Sequence, residues 1–299
     1  MSALVHKTVL LDETLRAVAP KSGGVYADAT VGFGGHTEGV LQASSPDGRV
    51  IGLDRDQIAL ASAKERLATF GDRVALVHAR FSELREVLQA NGYEHVDGVI
   101  ADVGVSSPQL DEAERGFSFA RSGPLDMRMD RSSGETALEL IERLDEEELA
   151  NIIFKYGEER KSRGIARSIK RALSDGEIAS TDDLRRAIVR SAGPRRAGNV
   201  DPATRTFQAL RIAVNHEIEE LEALVASLPD LLADGGVAAI VSFHSLEDRV
   251  VKYAFRDDVR MEPLTKKPVI AGEEESTLNP RSRSAKLRAA RRVPREVAP

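Results

Sequence analysis

Apolar residues in this chain gather in short unbroken runs rather than alternating with polar ones. Four such runs lie in the first third: Val25 to Thr30, Val50 to Asp54, Val74 to His78 and Val96 to Val103. Runs of this length, separated by helical segments, read as strands buried on both faces, the signature of a parallel, doubly wound sheet. A fifth run, Val237 to Phe243, follows Gly235-Gly236 far downstream.

Between Pro108 and Asn215 the pattern changes. A polar connection through Gly116, Gly123, Pro124 and Gly134 leads to Leu138, Ile141, Leu144, Leu149, Ile152, Ile153 and Tyr156, which recur at helical spacing. Asp145 with Glu148 has the form of a capping box, Thr181-Asp-Asp-Leu opens another helix, and Gly193-Pro194 closes it. From Pro202 one long helix, with Leu210, Val214, Ile218, Leu221, Leu224 and Val225 on its apolar face, is expected to return the chain to the sheet. The predicted fold class is α/β, a doubly wound Rossmann-like sheet with an inserted all-helical domain. Its expected parts are the sheet domain over 1–109, the insertion over 110–201, and the rest of the sheet domain over 202–299 with a basic tail.

The chemistry concentrates where strands end. Asp28-Ala-Thr-Val-Gly32-Phe-Gly34-Gly35-His36 follows the first run, and Asp54 closes the second. Glycines after a first strand let backbone approach a ligand, and an acid about 20 residues on grips ribose hydroxyls. The dinucleotide fingerprint would place a third glycine where Thr37 stands, which weakens a pyrophosphate reading. A cofactor with a ribose and no phosphates, such as S-adenosylmethionine, fits better. The glycine and Asp54 pattern alone still admits a nucleotide-dependent oxidoreductase; a second alternative, a non-catalytic RNA-binding or assembly factor that keeps the fold, is opposed by Asp102 and the complete Gly34-Gly35-His36 turn. Asp102 ends the fourth run, at the edge where open α/β sheets bind ligands. By itself it reads equally well as a turn former.

Composition narrows the setting. The 299 residues contain no cysteine, which excludes disulfide scaffolds and thiolate zinc sites and fits a reducing cytosol. No apolar run approaches the length of a membrane span, so the expected location is the cytoplasm. The net charge of −6 is unevenly spread. Basic residues gather around Arg160, Lys161, Arg163, Arg167, Lys170 and Arg171, around Arg185, Arg186, Arg190, Arg195 and Arg196, and in a tail from Arg281 to Arg295. Each cluster alone is most simply a solvated helix face, but together they suggest a polyanionic partner. Arg281, Arg283, Lys286 and Arg288 occur without interleaved acids and are expected at the phosphates of such a partner, unless the segment between Pro280 and Pro294 packs as a final strand or helix. His6, His78, His95, His216 and His244 show no ligand spacing, and no metal is expected. His244 either faces the site or caps a helix starting near Ser245.

Several long strings stand in order along nearly the whole chain: His6-Lys-Thr-Val-Leu-Leu-Asp-Glu13, the turn ending Gly34-Gly35-His36, Leu53-Asp54-Arg-Asp56, and Asp102-Val-Gly-Val-Ser-Ser-Pro-Gln-Leu-Asp111. They continue with Arg115-Gly-Phe-Ser-Phe119, Gly123-Pro-Leu-Asp-Met-Arg-Met-Asp130, Tyr156-Gly-Glu-Glu159, Pro202-Ala-Thr-Arg-Thr-Phe-Gln208, Ser242-Phe-His-Ser-Leu-Glu-Asp-Arg249 and Asn279-Pro-Arg281. In these strings the chain resembles the ribosomal RNA small subunit methyltransferase H (MraW) family. It departs from the family's usual pattern at Gln57, where proline is common, and at Asp201, where histidine is common.

The resemblance implies a methyltransferase sheet that uses S-adenosylmethionine to methylate N4 of a cytidine in the decoding region (P site) of 16S rRNA. The implied partner is that RNA within the small ribosomal subunit, with no membrane role. The oligomeric state stays open, a homodimer among the options. Gly34, Gly35, His36, Asp54, Phe81, Asp102 and Gln109 are the implied cofactor-binding residues, with Asp102 also the implied catalytic one. Phe117, Phe119 and Phe243 are candidates to stack on the base.

Overall fold

The computed structural model describes residues 8–194 and 201–294; His6, Arg195, Arg196 and Arg295 lie outside them. The chain divides into two compact units, Met1–Gly104 with Ile218–Pro299, and Val105–Glu217.

The first unit is built on a seven-stranded sheet: β1 Val25–Asp28, β2 Arg49–Asp54, β3 Val74–His78, β4 Val96–Asp102, β5 Leu232–Ser242, β6 Met261–Pro263 and β7 Lys286–Arg292, ordered β3-β2-β1-β4-β5-β7-β6. The first five strands pair in parallel. Alternate residues leave opposite faces. Ala27, Ile51, Leu53, Val99, Ala101 and Ile240 enter one core, and Tyr26, Val50, Ile100, Ala239 and Val241 the other. Burial on both faces explains why these strands read as continuous apolar runs rather than alternating ones.

The sheet is not wholly parallel. β7 runs antiparallel between β5 and β6, so the basic tail is a strand. This overturns the expectation that Lys286 and Arg288 are given over to phosphate. Both project to Asp248, whose carboxylate accepts from Arg288 Nε at 2.7 Å and Lys286 Nζ at 3.3 Å. Arg292 is buried and paired with Asp234. Of the four, Arg283 is exposed as a whole residue, with Nε on the Ser276 carbonyl.

The helical unit holds helices Ala137–Arg143, Glu146–Gly157, Ser162–Ser174, Thr181–Ala192 and Ala203–Asn215. Asp145 and Glu148 form the expected capping box, and Gly193 follows the end of Thr181–Ala192. The unit's limits differ from the expected 110 and 201. Helix Ala203–Asn215 belongs to it because Phe207, Leu210 and Val214 pack in the helical core. The expected long helix is two, broken at His216, which adopts a left-handed φ of 52°. Glu217–Leu231 then buries Leu221, Leu224 and Val225 beside the sheet.

Much of the family-like sequence in this unit is structural. Arg115 is buried and donates to the Met129 carbonyl at 3.0 Å, and a Cβ on Gly116 would lie 2.3 Å from the Pro124 carbonyl oxygen. Buried Asn215 donates to Met127 O at 2.7 Å and accepts from Met129 N at 2.8 Å. Gln208 donates to Tyr156 O at 3.1 Å, while a Cβ on Gly157 would meet Arg205 O at 2.6 Å. Asp201 suits its position, accepting from Arg185 Nη2 at 2.8 Å and from Ala203 N at 2.9 Å at a helix start. No helix among the described residues is long and apolar enough to cross a membrane.

The Asp248 junction yields a stability prediction. Burial acts to raise its carboxyl pKa, but Arg288 and Lys286 outweigh this and hold it below the ordinary range. Asp248→Ala leaves both cations without their acid and is expected to cost about 1–3 kcal/mol at neutral pH. A depressed folded pKa gives stability that is present above about pH 4 and is lost as the pH falls through the folded value. The gap between wild type and variant in urea midpoints should therefore narrow under acid. An unchanged midpoint at pH 7 would show that the junction adds nothing.

Candidate active site

Three adjacent strands of the sheet unit end on a carboxylate: β1 on Asp28, β2 on Asp54 and β4 on Asp102. The parallel arrangement brings these ends to one edge, and the turn after β1 runs between them. Ala29 N donates to Ile100 O at 2.9 Å and Val31 N to Leu53 O at 2.8 Å, so the turn stays tied to both neighbouring strands. Gly32 N donates to Asp54 Oδ2 at 2.7 Å, and Asp56 N to Asp54 Oδ1 at 2.8 Å. Asp56 itself caps helix Gln57–Leu67 through Ile58 N at 3.0 Å. Gln57 occupies the first helical position, where proline is favoured but not required.

Gly34 adopts a φ of 82° and opens helix Gly35–Ala43. Gly35 is needed for space, since a Cβ there would lie 1.8 Å from Thr8 Oγ1. His36 is buried, with Nδ1 4.0 Å from Asp102 Oδ2. Asp102 N donates to Thr30 Oγ1 at 2.5 Å, while its buried Oδ1 has no hydrogen-bond partner among the described residues. Phe81 begins the short 3-10 turn Phe81–Glu83 just past β3 and is partly buried against the sheet core. The sheet unit thus holds Gly34, Gly35, His36, Asp54, Phe81 and Asp102. Gln109 belongs to the helical unit, where it is buried and accepts from Ser106 N at 2.9 Å.

Two acids escaped the sequence reading. Asp28 is 1% exposed and accepts from Thr37 Oγ1 at 2.6 Å and Thr30 N at 3.1 Å. Thr37, read above only as a missing glycine, therefore fastens the helix to the end of β1, and a hydroxyl beside a strand-end acid was the available signal. Glu247 is buried beyond β5, where it accepts from Phe243 N at 2.8 Å and His244 N at 3.2 Å. His244 is the N-cap of helix Ser245–Asp257, the second of the two roles weighed for it. Among the candidate stacking residues, Phe117 lies in the helical core and Phe119 packs edge-on against Phe207 at 4.9 Å. Phe243 stands past β5 in the sheet unit, 3.5 Å from where a Gly104 Cβ would be.

Crowding acids out of water shifts their titration. Burial pushes Asp28 up to about 7, against the hydrogen bonds of Thr37 and Thr30. Burial raises Asp54 to about 6 despite its two backbone donors. Asp102 rises to about 8, through burial first and then the nearby charges of Asp28 and Glu247. Such an edge is short of positive charge and offers acceptors to hydroxyl, amine or cationic groups.

The sign of the linkage is fixed. An acid whose folded pKa is raised stabilises the fold below its unfolded pKa, and that stability is lost as pH rises through the folded value. The melting temperature of the free protein is expected to fall between about pH 5 and pH 8. Asp102→Asn should flatten the upper part of that fall and melt higher than wild type at pH 8.5. Parallel melting curves for the two proteins across this range would disprove it.

The family model for the MraW methylase family matches residues 3–293. The ribosomal RNA small subunit methyltransferase H of Sorangium cellulosum (strain So ce56) is 62% identical over 96% of this chain and 91% of its own length. The protein of the same name from Prochlorococcus marinus (strain MIT 9303) is 52% identical over 99% of this chain and 96% of its own. Among solved structures, an rRNA methylase from Streptococcus thermophilus aligns with 98% of this chain and 100% of its own, at 12% identity and a TM-score of 0.45. With a family match over nearly the whole length and relatives this similar end to end, the chain belongs to the MraW methylase family.

Proposed function

We propose that this chain is an S-adenosylmethionine-dependent methyltransferase acting on 16S rRNA of the small ribosomal subunit in the cytoplasm, at N4 of a cytidine in the decoding region. The observation that carries the reading is the convergence of Asp28, Asp54 and Asp102 around the glycine turn, in a chain of a methylase family. The donor set fits this cofactor. Asp54 keeps lone pairs for two ribose hydroxyls beyond its backbone donors, each such bond worth about 1.5–3 kcal/mol. The turn backbone at Gly34 and Gly35 is expected beside the methionine portion, and Phe81 offers an apolar surface to adenine. Gln109 is a further expected contact, contributed by the helical unit.

When bound, S-adenosylmethionine supplies an electrophilic methyl on a sulfonium. The acid-rich edge favours that positive charge, and a bound cation would in turn lower the pKa values of Asp28 and Asp102. The cytidine amine is a poor nucleophile because its lone pair is delocalised into the ring. An ionised Asp102, with its unpartnered Oδ1, would accept an N4 hydrogen, localise the lone pair and hold the departing proton. Phe243 is the aromatic best suited to stack on the base, since Phe117 and Phe119 are spent on the helical core. RNA recognition by the helical unit is supported by exposed Arg160 and Arg163, which have no carboxylate partner among the described residues, and by Phe154, 61% exposed.

Nucleoside mass spectrometry of 16S rRNA from cells with and without this protein tests the reading, and loss of one N4-methylated cytidine is expected. An unchanged nucleoside profile would overturn it. Asp54→Ala should weaken S-adenosylmethionine roughly 10- to 100-fold in calorimetry while leaving the circular dichroism spectrum intact. Binding of NADH in the same experiment would point to an oxidoreductase instead. Asp102→Ala should slow single-turnover methyl transfer far more than it weakens RNA binding. A near-normal rate with reduced RNA affinity would remove Asp102 from the reacting centre.

A further inference from the structure

Helix Ser245–Asp257, with β6, β7 and the segment after β6, encloses a cavity of about 330 Å³ in the sheet unit. None of its lining residues belongs to the candidate active site. Its apolar floor is Phe255, Pro263 and Ala289, and its rim carries Lys252, Arg256, Lys266 and Arg288. No acid lines it. Two carboxylates bonded to its lining residues are committed, Asp248 to Arg288 and Lys286, and Asp257 to Arg256 at 2.6 and 3.0 Å. Lys252 and Lys266 are exposed and have no carboxylate partner among the described residues. Lys252 and Arg256 also reach over the exposed Tyr253 ring, at 5.5 and 4.6 Å from its centroid.

A cationic rim over an apolar floor selects its ligand on two counts. A wholly apolar molecule would leave the lysines without counter-charge, and a bare phosphate would leave Phe255 and Pro263 uncovered. A nucleotide satisfies both, and the volume lies at the lower end of the range for small-ligand pockets, about 300–1,000 Å³. We propose that this pocket receives one nucleotide of a single-stranded RNA segment, its base over the floor and its phosphate against Lys252 and Lys266. The proposal rests on the reading of the chain as an rRNA methyltransferase, and adds to it an RNA contact on the sheet unit.

Fluorescence anisotropy of a labelled single-stranded oligoribonucleotide, titrated with the full chain across a salt series, tests the pocket. The double variant Lys252→Ala/Lys266→Ala should lower the log–log salt slope by about 0.7, the value for the one phosphate that the two lysines share. Thr265→Trp fills the cavity and leaves the cations in place. It should weaken binding roughly 5- to 100-fold, the loss of one base stack, with little change in slope. Both variants should keep the wild-type melting temperature and S-adenosylmethionine affinity. Wild-type RNA binding by both variants would overturn the pocket while sparing the methyltransferase reading. So would calorimetric binding of cytidine monophosphate that both variants abolish with RNA affinity unchanged, because the pocket would then serve free nucleotides. A wild-type chain that binds no RNA would overturn the functional reading and the pocket together.

Discussion

The carboxylate of Asp28 ties the sheet to the chemistry at its edge. It is almost wholly buried, and it holds the turn after β1 through Thr30 N and the following helix through Thr37. Asp54 grips the same turn from the other side, at Gly32 N, and Thr30 Oγ1 accepts from Asp102 N. One short loop is therefore bonded to the last residue of each of three parallel strands. A parallel sheet buried on both faces leaves polar groups a place only at its strand ends, so the core that stabilises this unit also crowds its acids together.

That crowding has a cost that the fold absorbs. Acids pushed up by burial are poorly solvated when ionised, and Asp28 and Glu247 add repulsion at Asp102. A site complete in itself would neutralise this with an internal arginine or lysine. Here the acids are answered mainly by hydroxyls, backbone amides and His36, and the one arginine charge among them, Arg55, acts on Asp54 only weakly. Stability held back in this way is recovered when a cationic ligand binds, which is the logic of a preorganised but unsatisfied site.

Legibility in the sequence followed the physics of each signal. β3 is bounded correctly from its apolar run although its residues are only partly buried, and β1, β2 and β4 to within two residues, where burial on both faces leaves no polar interruption. Asp54 and the glycine turn were readable because their spacing is set by one strand–helix–strand unit. β6 was invisible, being three residues long with two of them exposed. β7 is masked by its own arginines, whose burial depends on Asp248 and Asp234, 40 and 58 residues upstream in the sequence. His216 breaks a helix at a position where the apolar spacing on both sides continues in phase, so only tertiary packing could reveal the division. The Asp28–Thr37 bond was hidden because a β-branched residue in a glycine's place reads as a defect until its hydroxyl is seen to have an acceptor.

The same distance dependence decides which cations remain for a polyanion. Clusters of arginine along the chain looked interchangeable, but folding sorts them. Lys170 donates to the Ile141 and Leu144 carbonyls, Arg185 pairs with Asp201, Arg190 with Glu177, and Arg288 with Asp248. Each of these is a structural part whose charge is largely cancelled at short range. Surface ion pairs of this kind add little stability singly, yet they remove a cation from the long-range field. Exposed cations without an acid among the described residues remain on each unit, with Arg160 and Arg163 on the helical one near exposed Phe154, and Lys252 and Lys266 on the sheet one beside the apolar lining of the cavity. A chain of net charge −6 can therefore offer RNA a few unpaired cations at defined places without presenting a basic surface, so that contact geometry carries more of the selection than bulk charge does.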